Sequence, residues 1–272
     1  MKKYDIHIHT RLSDCADRKA TIASMLSAAE AAGLSLIGFS DHAWDETVPG
    51  ASDWYKIQGY KRLAARREEL KELDTRGIKV LCGAEGEFAN LLLGLSDAGA
   101  EYVDYVIVPH SHTHMGGFVL PEDCIGNAEK HARYLVKSLL ALCRHERKDL
   151  FCGIAHPMFP VGCKYDYFAR VLSHISDSVY DECAAAIRES DKMPEFNIDC
   201  ALWANGSDAS RYEYARFMDA LKRGRNKMFV GSDAHSAPQL VQNHSLLQTA
   251  LCAMSVAQED LLTAPQLRIP NV

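Results

Sequence analysis

The sequence has no long apolar run and no excess of positive charge. None of its 272 residues belongs to an uninterrupted apolar stretch of 18, so we expect no membrane-spanning helix. Thirty lysines and arginines are set against 36 aspartates and glutamates, which gives a formal charge of -6. Duplex nucleic acid and anionic membranes attract a broad cationic field, which this balance does not supply. We therefore expect neither of them as a partner.

Cysteine pairing motifs and a signal-peptide pattern are missing as well. The nine cysteines are odd in number, include no C-x-x-C and mostly lie in apolar runs, which is typical of reduced thiols. The first ten residues, MKKYDIHIHT, place Asp5, His7 and His9 where a signal peptide needs unbroken apolar residues. We therefore expect a cytoplasmic protein that is not exported by that route.

No proline-rich linker, low-complexity tract or block of like charge divides the chain, so we expect one domain over residues 1–272. Short β-rich runs alternate seven times with helical patterns, from KYDIHIH at 3–9 to KMFVGSDAH at 227–235. This alternation predicts parallel strands covered by helices, and closure into a barrel is the economical arrangement. An open doubly wound sheet is the alternative, but no G-x-G-x-x-G or Walker A sequence follows the first strand.

Polar residues recur at the carboxyl ends of the predicted strands. In a parallel barrel these ends open on one face, so residues far apart in sequence should converge there. Several pairs have the i, i+2 spacing that places both side chains on the same face of a strand. The residues at these strand ends are His7, His9, Asp41, His42, Glu85, Glu87, His110, His112, His156, Asp233 and His235.

So many imidazoles and carboxylates in one pocket would be costly without partners, and divalent metal ions remove that cost. Mixed nitrogen and oxygen ligands suit Zn, Mn or Fe. A catalytic zinc takes about three protein ligands, so roughly nine candidates predict two or three ions. Such a cluster suits phosphoryl chemistry, because it can hold an anionic ester, activate a bridging water and stabilise the leaving alkoxide.

Six separated motifs resemble the PHP (polymerase and histidinol phosphatase) family, in the right order over residues 1 to about 240. They are HIHT at 7–10 with Asp14, SDH at 40–42, GAE at 83–85, the strand-four histidines, AHP at 155–157 and GSDAH at 231–235. The resemblance implies a distorted, TIM-like (β/α)7 barrel with a two- or three-metal site at the C-terminal ends of the strands. It also implies hydrolysis of phosphomonoesters such as histidinol phosphate, or of phosphodiesters including nucleic-acid ends.

The resemblance further implies how the ligands divide among the ions. One ion would be held by His7, His9, Glu85 and Asp233, a second by Glu85, a strand-four histidine and His156, and a third by Asp14, His42 and His235. The family's strand-four position falls on Ser111, seven residues after Asp104, so the ligand is expected one residue to either side. His110 is favoured, and His112 stays open.

Other polar residues receive supporting roles. Asp41 is expected to orient the His42 imidazole. Phosphate binding calls for a cation, and Arg11 and Lys164, which follow strands one and five, are the substrate-binding candidates. Four histidines in helical segments are expected to face solvent: His131, His145, His174 and His244.

These observations predict a metal-dependent phosphoesterase in which a metal-bridging hydroxide attacks phosphorus, with Glu85, Asp233 and His235 as the catalytic residues. A small phosphomonoester, such as L-histidinol phosphate converted to L-histidinol, is preferred over a nucleotide or oligonucleotide diester, because clustered lysine and arginine are lacking. A catalytically silent, metal-stabilised PHP binding module is the alternative of another class. An amidohydrolase would need a lysine after strand four, and YVDYVIVPHSH has none.

Overall fold

The computed structural model of this protein describes residues 3–265 and Leu267. The strands are β1 (Tyr4–Ile8), β2 (Leu36–Phe39), β3 (Lys79–Cys82), β4 (Ala84–Glu85), β5 (Phe88–Ala89), β6 (Leu92–Leu93), β7 (Val106–Pro109), β8 (Gly153–Ala155), β9 (Met193–Asn197) and β10 (Phe229–Gly231). The α-helices are α1 (Ile22–Ala31), α2 (Asp53–Lys56), α3 (Ala65–Lys71), α4 (Asp97–Ala100), α5 (Ala128–Cys143), α6 (Tyr165–Ser173), α7 (Asp177–Glu189), α8 (Ile198–Ala204), α9 (Asp208–Arg223), α10 (Ala237–Ser245) and α11 (Leu247–Ala253). Short 3₁₀ helices span Tyr60–Ala64, Glu122–Cys124, Lys148–Leu150 and Gln258–Asp260.

The parallel strands form two neighbouring sheets. One has the order β1-β2-β3 and the other the order β10-β9-β8-β7-β4, while β5 and β6 form a small antiparallel pair. Single bridges between Ile8 and Ala234 and between His42 and Glu85 connect the two parallel sheets. The result is a mixed α/β fold whose curled five-stranded parallel sheet is compatible with a distorted TIM-like barrel.

The strands are buried because helices cover the outer face of the sheet. β1, β7, β8, β9 and β10 are buried along their whole length, as expected for parallel strands. α5 is amphipathic and packs against α6 and α7 through an apolar side that includes Leu135, Leu139 and Leu142. Among the residues that the structure describes, no helix combines the length and apolarity needed to cross a membrane.

Local signals at the strand ends fix the start of the helices next to the site. Asn197 ends β9 and also caps α8, because its side chain accepts a hydrogen bond from the backbone N–H of Cys200 at 2.9 Å. Ser236 caps α10 in the same way. Asn197 thus ends the strand and starts the helix at one residue, whereas Ser236 starts α10 five residues after the end of β10, directly after Asp233 and His235.

Gly231 shows how tightly the strand ends pack. A Cβ at this position would collide with the carboxylate of Glu195 and would lie 2.6 Å from the Cβ of His7. Only glycine therefore lets the end of β10 approach the middle of β1 with the Glu195 carboxylate between them.

Candidate metal centre

The carboxylate of Glu85 lies among histidines at the carboxyl ends of the parallel strands. Glu85 ends β4 and is fully buried. Its Oε1 atom lies 3.0 Å from His156 Nε2 and 3.6 Å from His112 Nε2. Its Oε2 atom lies 3.0 Å from His42 Nδ1. Residues from four separate strand ends thus meet at one carboxylate.

His7 and His9 bring β1 to the same carboxylate. Their Nε2 atoms lie 3.4 and 3.5 Å from Glu85 Oε2 and 3.2 Å from each other. Asp233, which follows β10, places Oδ1 3.4 Å from His7 Nε2 and 3.1 Å from His9 Nε2. Both histidines therefore lie on the inner face of β1, where their i, i+2 spacing predicts them.

The histidine that reaches Glu85 after β7 is His112. His110 is also buried, but its Nε2 accepts the backbone N–H of Met158 at 3.0 Å, and it belongs to none of the groups of converging ligand atoms. The chain leaves the strand after Pro109, so His110 turns toward the loop that follows β8. The sequence favours His110 and leaves His112 open. The structure places His112, and not His110, next to the Glu85 carboxylate.

Two of the clustered histidines are held from outside by carboxylates. His7 Nδ1 lies 2.8 Å from Glu195 Oε1, and His112 Nδ1 lies 2.7 Å from Glu87 Oε2. A carboxylate can only accept, so each Nδ1 donates its hydrogen. The lone pair of the neutral ring is then on Nε2, which faces the cluster.

Ser13 and Ser111 hold His9 and His156 in the same way. The Ser13 hydroxyl donates to Asp41 Oδ1 at 2.9 Å, so it accepts the Nδ1–H of His9 at 2.9 Å. The Ser111 hydroxyl donates to the carbonyl of His156 at 3.0 Å and accepts the Nδ1–H of that residue at 2.8 Å. In all four histidines the Nε2 lone pair is directed inward, which is how proteins orient histidines that bind metals.

Asp41 has a different role from the expected one. Its carboxylate accepts hydrogen bonds from Thr10 and Ser13 and pairs with the buried guanidinium of Arg66 at 2.8 Å. Burial raises the pKa of Asp41, but the charges of Arg66 and His9 and the hydrogen bonds from Thr10 together outweigh it and lower the pKa. Asp41 therefore acts through Ser13 on the ring of His9 and makes no described hydrogen bond to the ring of His42.

His42 and His235 converge with His9 and not with Asp14. The three histidines offer nitrogen atoms that lie within 4.8 Å of one another, and the rings of His9 and His235 stack with centroids 4.2 Å apart. The Asp14 side chain is 41% exposed and lies 3.5 Å from Arg18. The loop after β1 turns Asp14 toward solvent, so the structure does not bring it to the position that the resemblance implies.

Charge in this cluster is balanced by protons when no metal ion is bound. Burial raises the pKa of Glu85 and of Asp233, but the imidazoles around them, His7 first, outweigh it and hold both pKa values well below their usual range. Burial lowers the pKa of His112, yet its carboxylate neighbours raise it to about 9. Burial among other imidazoles lowers the pKa of His9 to about 3. A metal ion therefore competes with protons on selected histidines.

The donor set fits divalent metal ions. Glu85 Oε2 and His42 Nδ1 are buried 3.0 Å apart, yet neither has a hydrogen-bond partner among the described residues. Buried lone pairs that face one another are costly unless a cation lies between them. Imidazole with carboxylate suits Zn, Mn or Fe. Three overlapping groups could hold ions: His7, His9 and Glu85; Glu85, His112 and His156; and His9, His42 and His235.

The two expected phosphate-binding cations lie at the periphery. The Arg11 side chain is 51% exposed and lies 3.6 Å from Glu69. Lys164 is exposed and lines a separate cavity between the loops that follow β7 and β8. A larger groove of about 620 Å³ lies between α5 and the turn from α6 to α7, but none of the clustered histidines or carboxylates lines it.

Several buried residues were not found from the sequence. Glu195 and Asn197 end β9 with the same i, i+2 spacing as the other strand-end pairs, and this spacing is the signal that could have revealed them. His244 was expected to face solvent, but it is buried in a hydrogen bond of 2.8 Å with Asp5 Oδ2. His131 is also buried, at 1% exposure, and not solvent-facing as expected.

Histidines and carboxylates thus converge at the strand ends of this α/β fold in groups that could hold metal ions. The family model of the PHP domain matches residues 5–255. The chain therefore belongs to the PHP domain family, and the sequence-based resemblance is confirmed.

A solved structure supports the same fold. It is histidinol phosphate phosphatase (HisK) from Lactococcus lactis subsp. lactis Il1403, complexed with Zn, L-histidinol and phosphate. The two structures align with a TM-score of 0.62 and 16% sequence identity, over 94% of this chain and 95% of that chain. The search of curated proteins finds no match.

Proposed function

We propose that this protein hydrolyses a small phosphomonoester and that L-histidinol phosphate is the first substrate to test. The observation that carries the proposal is the convergence of five histidines and Asp233 around one buried carboxylate, Glu85. The family match supports phosphoester chemistry, and the HisK structure holds L-histidinol and phosphate. We further propose that the two parallel sheets form one (β/α)7 barrel and that residues 1–272 act as a single domain.

Two or three divalent ions are part of this proposal. His7, His9, Glu85 and Asp233 would hold one ion, Glu85, His112 and His156 a second, and His42 with His235 a third, with His9 within reach of the first and the third. When bound, such ions neutralise phosphoryl oxygens, lower the pKa of water and stabilise a leaving alkoxide.

The protein's own groups orient the ligands before substrate arrives. Glu195, Glu87, Ser13 and Ser111 fix the outer nitrogens of four histidines, so no side-chain rearrangement is needed during the reaction. Asp233 has a φ of 54°, a conformation that non-glycine residues adopt at a cost and that aims its carboxylate at β1.

Exposure indicates the side from which a phosphoester reaches the cluster. The side chains of His7, His9 and Glu85 are 0–1% exposed, whereas those of Asp233 and His235 are 20% and 29% exposed. His235 Nδ1 lies 2.8 Å from the carbonyl of Asp233 and donates to it, so its Nε2 is left for an ion or a reacting oxygen. We therefore assign the catalytic contacts to Glu85 from within and to Asp233 and His235 from the solvent side.

The test is phosphate release by protein loaded with Zn²⁺ or Mn²⁺, with Glu85→Gln beside it. L-histidinol phosphate, nucleoside 5′-monophosphates and a short oligonucleotide are compared as substrates. Fast release from L-histidinol phosphate that depends on Glu85 supports the proposal. Faster cleavage of the oligonucleotide would assign the diester alternative, and no turnover of any ester would favour a silent binding module.

A further inference from the structure

A second cavity lies beside the metal cluster. It has a volume of about 430 Å³ and lies between the loop after β7 and the loop after β8, with α5 and α6 as its remaining walls. Its volume is in the range of small-ligand pockets. None of the residues assigned to the metal cluster lines it.

Three side chains that line the cavity have buried polar atoms with no hydrogen-bond partner within the described part of the chain. His131 is 1% exposed and neither of its ring nitrogens is partnered. The hydroxyls of Thr113, which is 4% exposed, and of Tyr167 are unpartnered as well. Folded proteins pair nearly all of their buried polar groups, so three such residues around one cavity point to a ligand that supplies the partners.

These three side chains are uncharged near neutral pH. Burial lowers the pKa of His131 to about 4, so near neutral pH its ring is neutral, with one N–H donor and one lone pair. Thr113 and Tyr167 add hydroxyls that can donate or accept. The charged side chain that lines the cavity, Lys164, is exposed, whereas these three groups are buried. An uncharged group with both donor and acceptor atoms would satisfy them without burying a charge.

Apolar side chains also line the cavity, and one lining residue contacts a histidine of the metal cluster. Ile125 lines it with 56% of its surface exposed, a large apolar side chain that lacks cover. His114 also lines it, and its ring centroid lies 5.6 Å from that of His112. Val161, a further lining residue, donates its backbone N–H to the Ser111 carbonyl at 3.1 Å. The loop after β7 therefore lines the cavity and also carries His112 of the metal cluster and Ser111, which holds His156.

We propose that this cavity binds one end of the organic group of the phosphoester, and that the end it binds is uncharged and carries donor and acceptor atoms on an apolar body. An N-heterocycle or an amide has this chemistry. The inference rests on the proposed phosphatase function, because it assigns the cavity to the part of the ester that leaves as the alcohol. His131 is thereby a specificity-determining residue and not a metal ligand.

The variant His131→Phe tests this assignment, since phenylalanine keeps the ring and removes both nitrogens. We compare L-histidinol phosphate and uridine 5′-monophosphate, which carry heterocycles, with phenyl phosphate, which does not. For the better of the two heterocyclic esters we expect KM to rise about ten-fold or more, because the site loses hydrogen bonds to that group. Phenyl phosphate hydrolysis should change less than about two-fold, and the melting temperature should not fall. Thr113→Val should act in the same direction with a smaller effect.

The matched control is His174→Phe, the same substitution at an exposed helix end. It should leave all three esters unaffected. An equal loss on phenyl phosphate together with a lower melting temperature would show that His131 is structural, and an unchanged KM for every ester would overturn the proposal.

A binding measurement separates this inference from the phosphatase function. Calorimetric titration of L-histidinol into the zinc-loaded protein needs no turnover. Binding that is lost in His131→Phe and kept in His174→Phe would support the cavity assignment even if no ester were hydrolysed. Binding of equal strength in both variants, or absent from the wild-type protein, would refute it.

Discussion

The metal cluster and the cavity beside it differ in how their buried histidines are hydrogen-bonded. In the cluster, the outer nitrogen of each of four histidines is occupied by a fixed partner: Glu195 for His7, Ser13 for His9, Glu87 for His112 and Ser111 for His156. In the cavity, His131 has no described partner on either nitrogen. Occupied outer nitrogens fix geometry, whereas unoccupied ones leave hydrogen-bonding capacity for a ligand.

On our proposal, the metal cluster carries out the reaction and the cavity selects the substrate. Metal-assisted reactions depend on ligand positions being set in advance, because reorientation during the reaction would add to its barrier. Recognition of an organic group depends on polar atoms that are satisfied only when the correct group is present. Variants of the cluster should therefore change every substrate alike, and variants of the cavity should change substrates unequally.

The largest effect is expected at the centre of the cluster. Glu85→Gln removes the negative charge that faces five histidines, so binding of at least one metal ion should be lost. Phosphate release from all esters should fall by about a thousand-fold or more, since metal catalysis contributes several kcal/mol. Metal content by elemental analysis and initial rates check this. Glu189→Gln, at the exposed end of α7, is the control and should change neither quantity. Full metal content with full activity in Glu85→Gln would contradict the central role of Glu85.

The next effect concerns protons in the metal-free cluster. The pKa of His112 is raised from its ordinary 6.5 to about 9 in the folded protein, because its carboxylate neighbours outweigh burial. A raised folded-state pKa means that this proton stabilises the fold fully below pH 6.5 and that the contribution is lost as the pH rises through 9. After chelator treatment, stability should fall over this window, by at most ~3 kcal/mol from this group.

Thermal unfolding of the chelator-treated protein at pH 6.5 and pH 9 measures this loss. His112→Gln cannot take up the proton, so its decline over the same window should be smaller. Saturating Zn²⁺ should remove most of the wild-type decline, because the ion replaces the proton on Nε2. Equal declines in wild-type and variant protein would show that His112 is not protonated in the folded state.

Much of the fold and part of the cluster follow from the sequence. Alternating β and helical patterns predict parallel strands, and parallel strands place their carboxyl ends together. That rule alone brings His7, Glu85, His156 and Asp233 to one place, although they span most of the chain. Side chains on regular strands are predictable because an i, i+2 spacing fixes the face on which they lie.

The errors come from residues beyond the regular strands. His110 and His112 have the same strand-face parity, so only the turn after Pro109 decides which of them reaches the cluster. Asp14 lies in a loop whose path no periodicity determines. His131 lies on a helix, where burial depends on which helix packs against it, and no local pattern shows that contact.

A Glu195 variant tests how much the hydrogen-bond partners of the outer histidine nitrogens contribute to metal binding. Glu195→Gln keeps the shape of the side chain but removes the charge that accepts from His7 Nδ1 and from the backbone N–H of His156 at 2.6 Å. Loss of such a partner typically weakens metal binding about ten- to a hundred-fold, and we expect this range here. Competition with a chelator of known zinc affinity measures it. Glu213→Gln, which removes a half-buried ion pair with Arg216, should leave zinc affinity unchanged.

The smallest effect on the cluster is expected from His110. Its buried Nε2 accepts the N–H of Met158, so His110→Leu should cost about 1–3 kcal/mol of stability by leaving that N–H unpaired. Metal content should stay at the wild-type level, whereas His112→Gln should lose bound metal. Chemical denaturation and elemental analysis of the two variants give both quantities. Loss of metal from His110→Leu with full metal in His112→Gln would reverse the assignment and return the ligand to the position that the sequence favours. The expected result would instead show that the backbone turn after β7 directs His112 to the metal and His110 to the loop that follows β8.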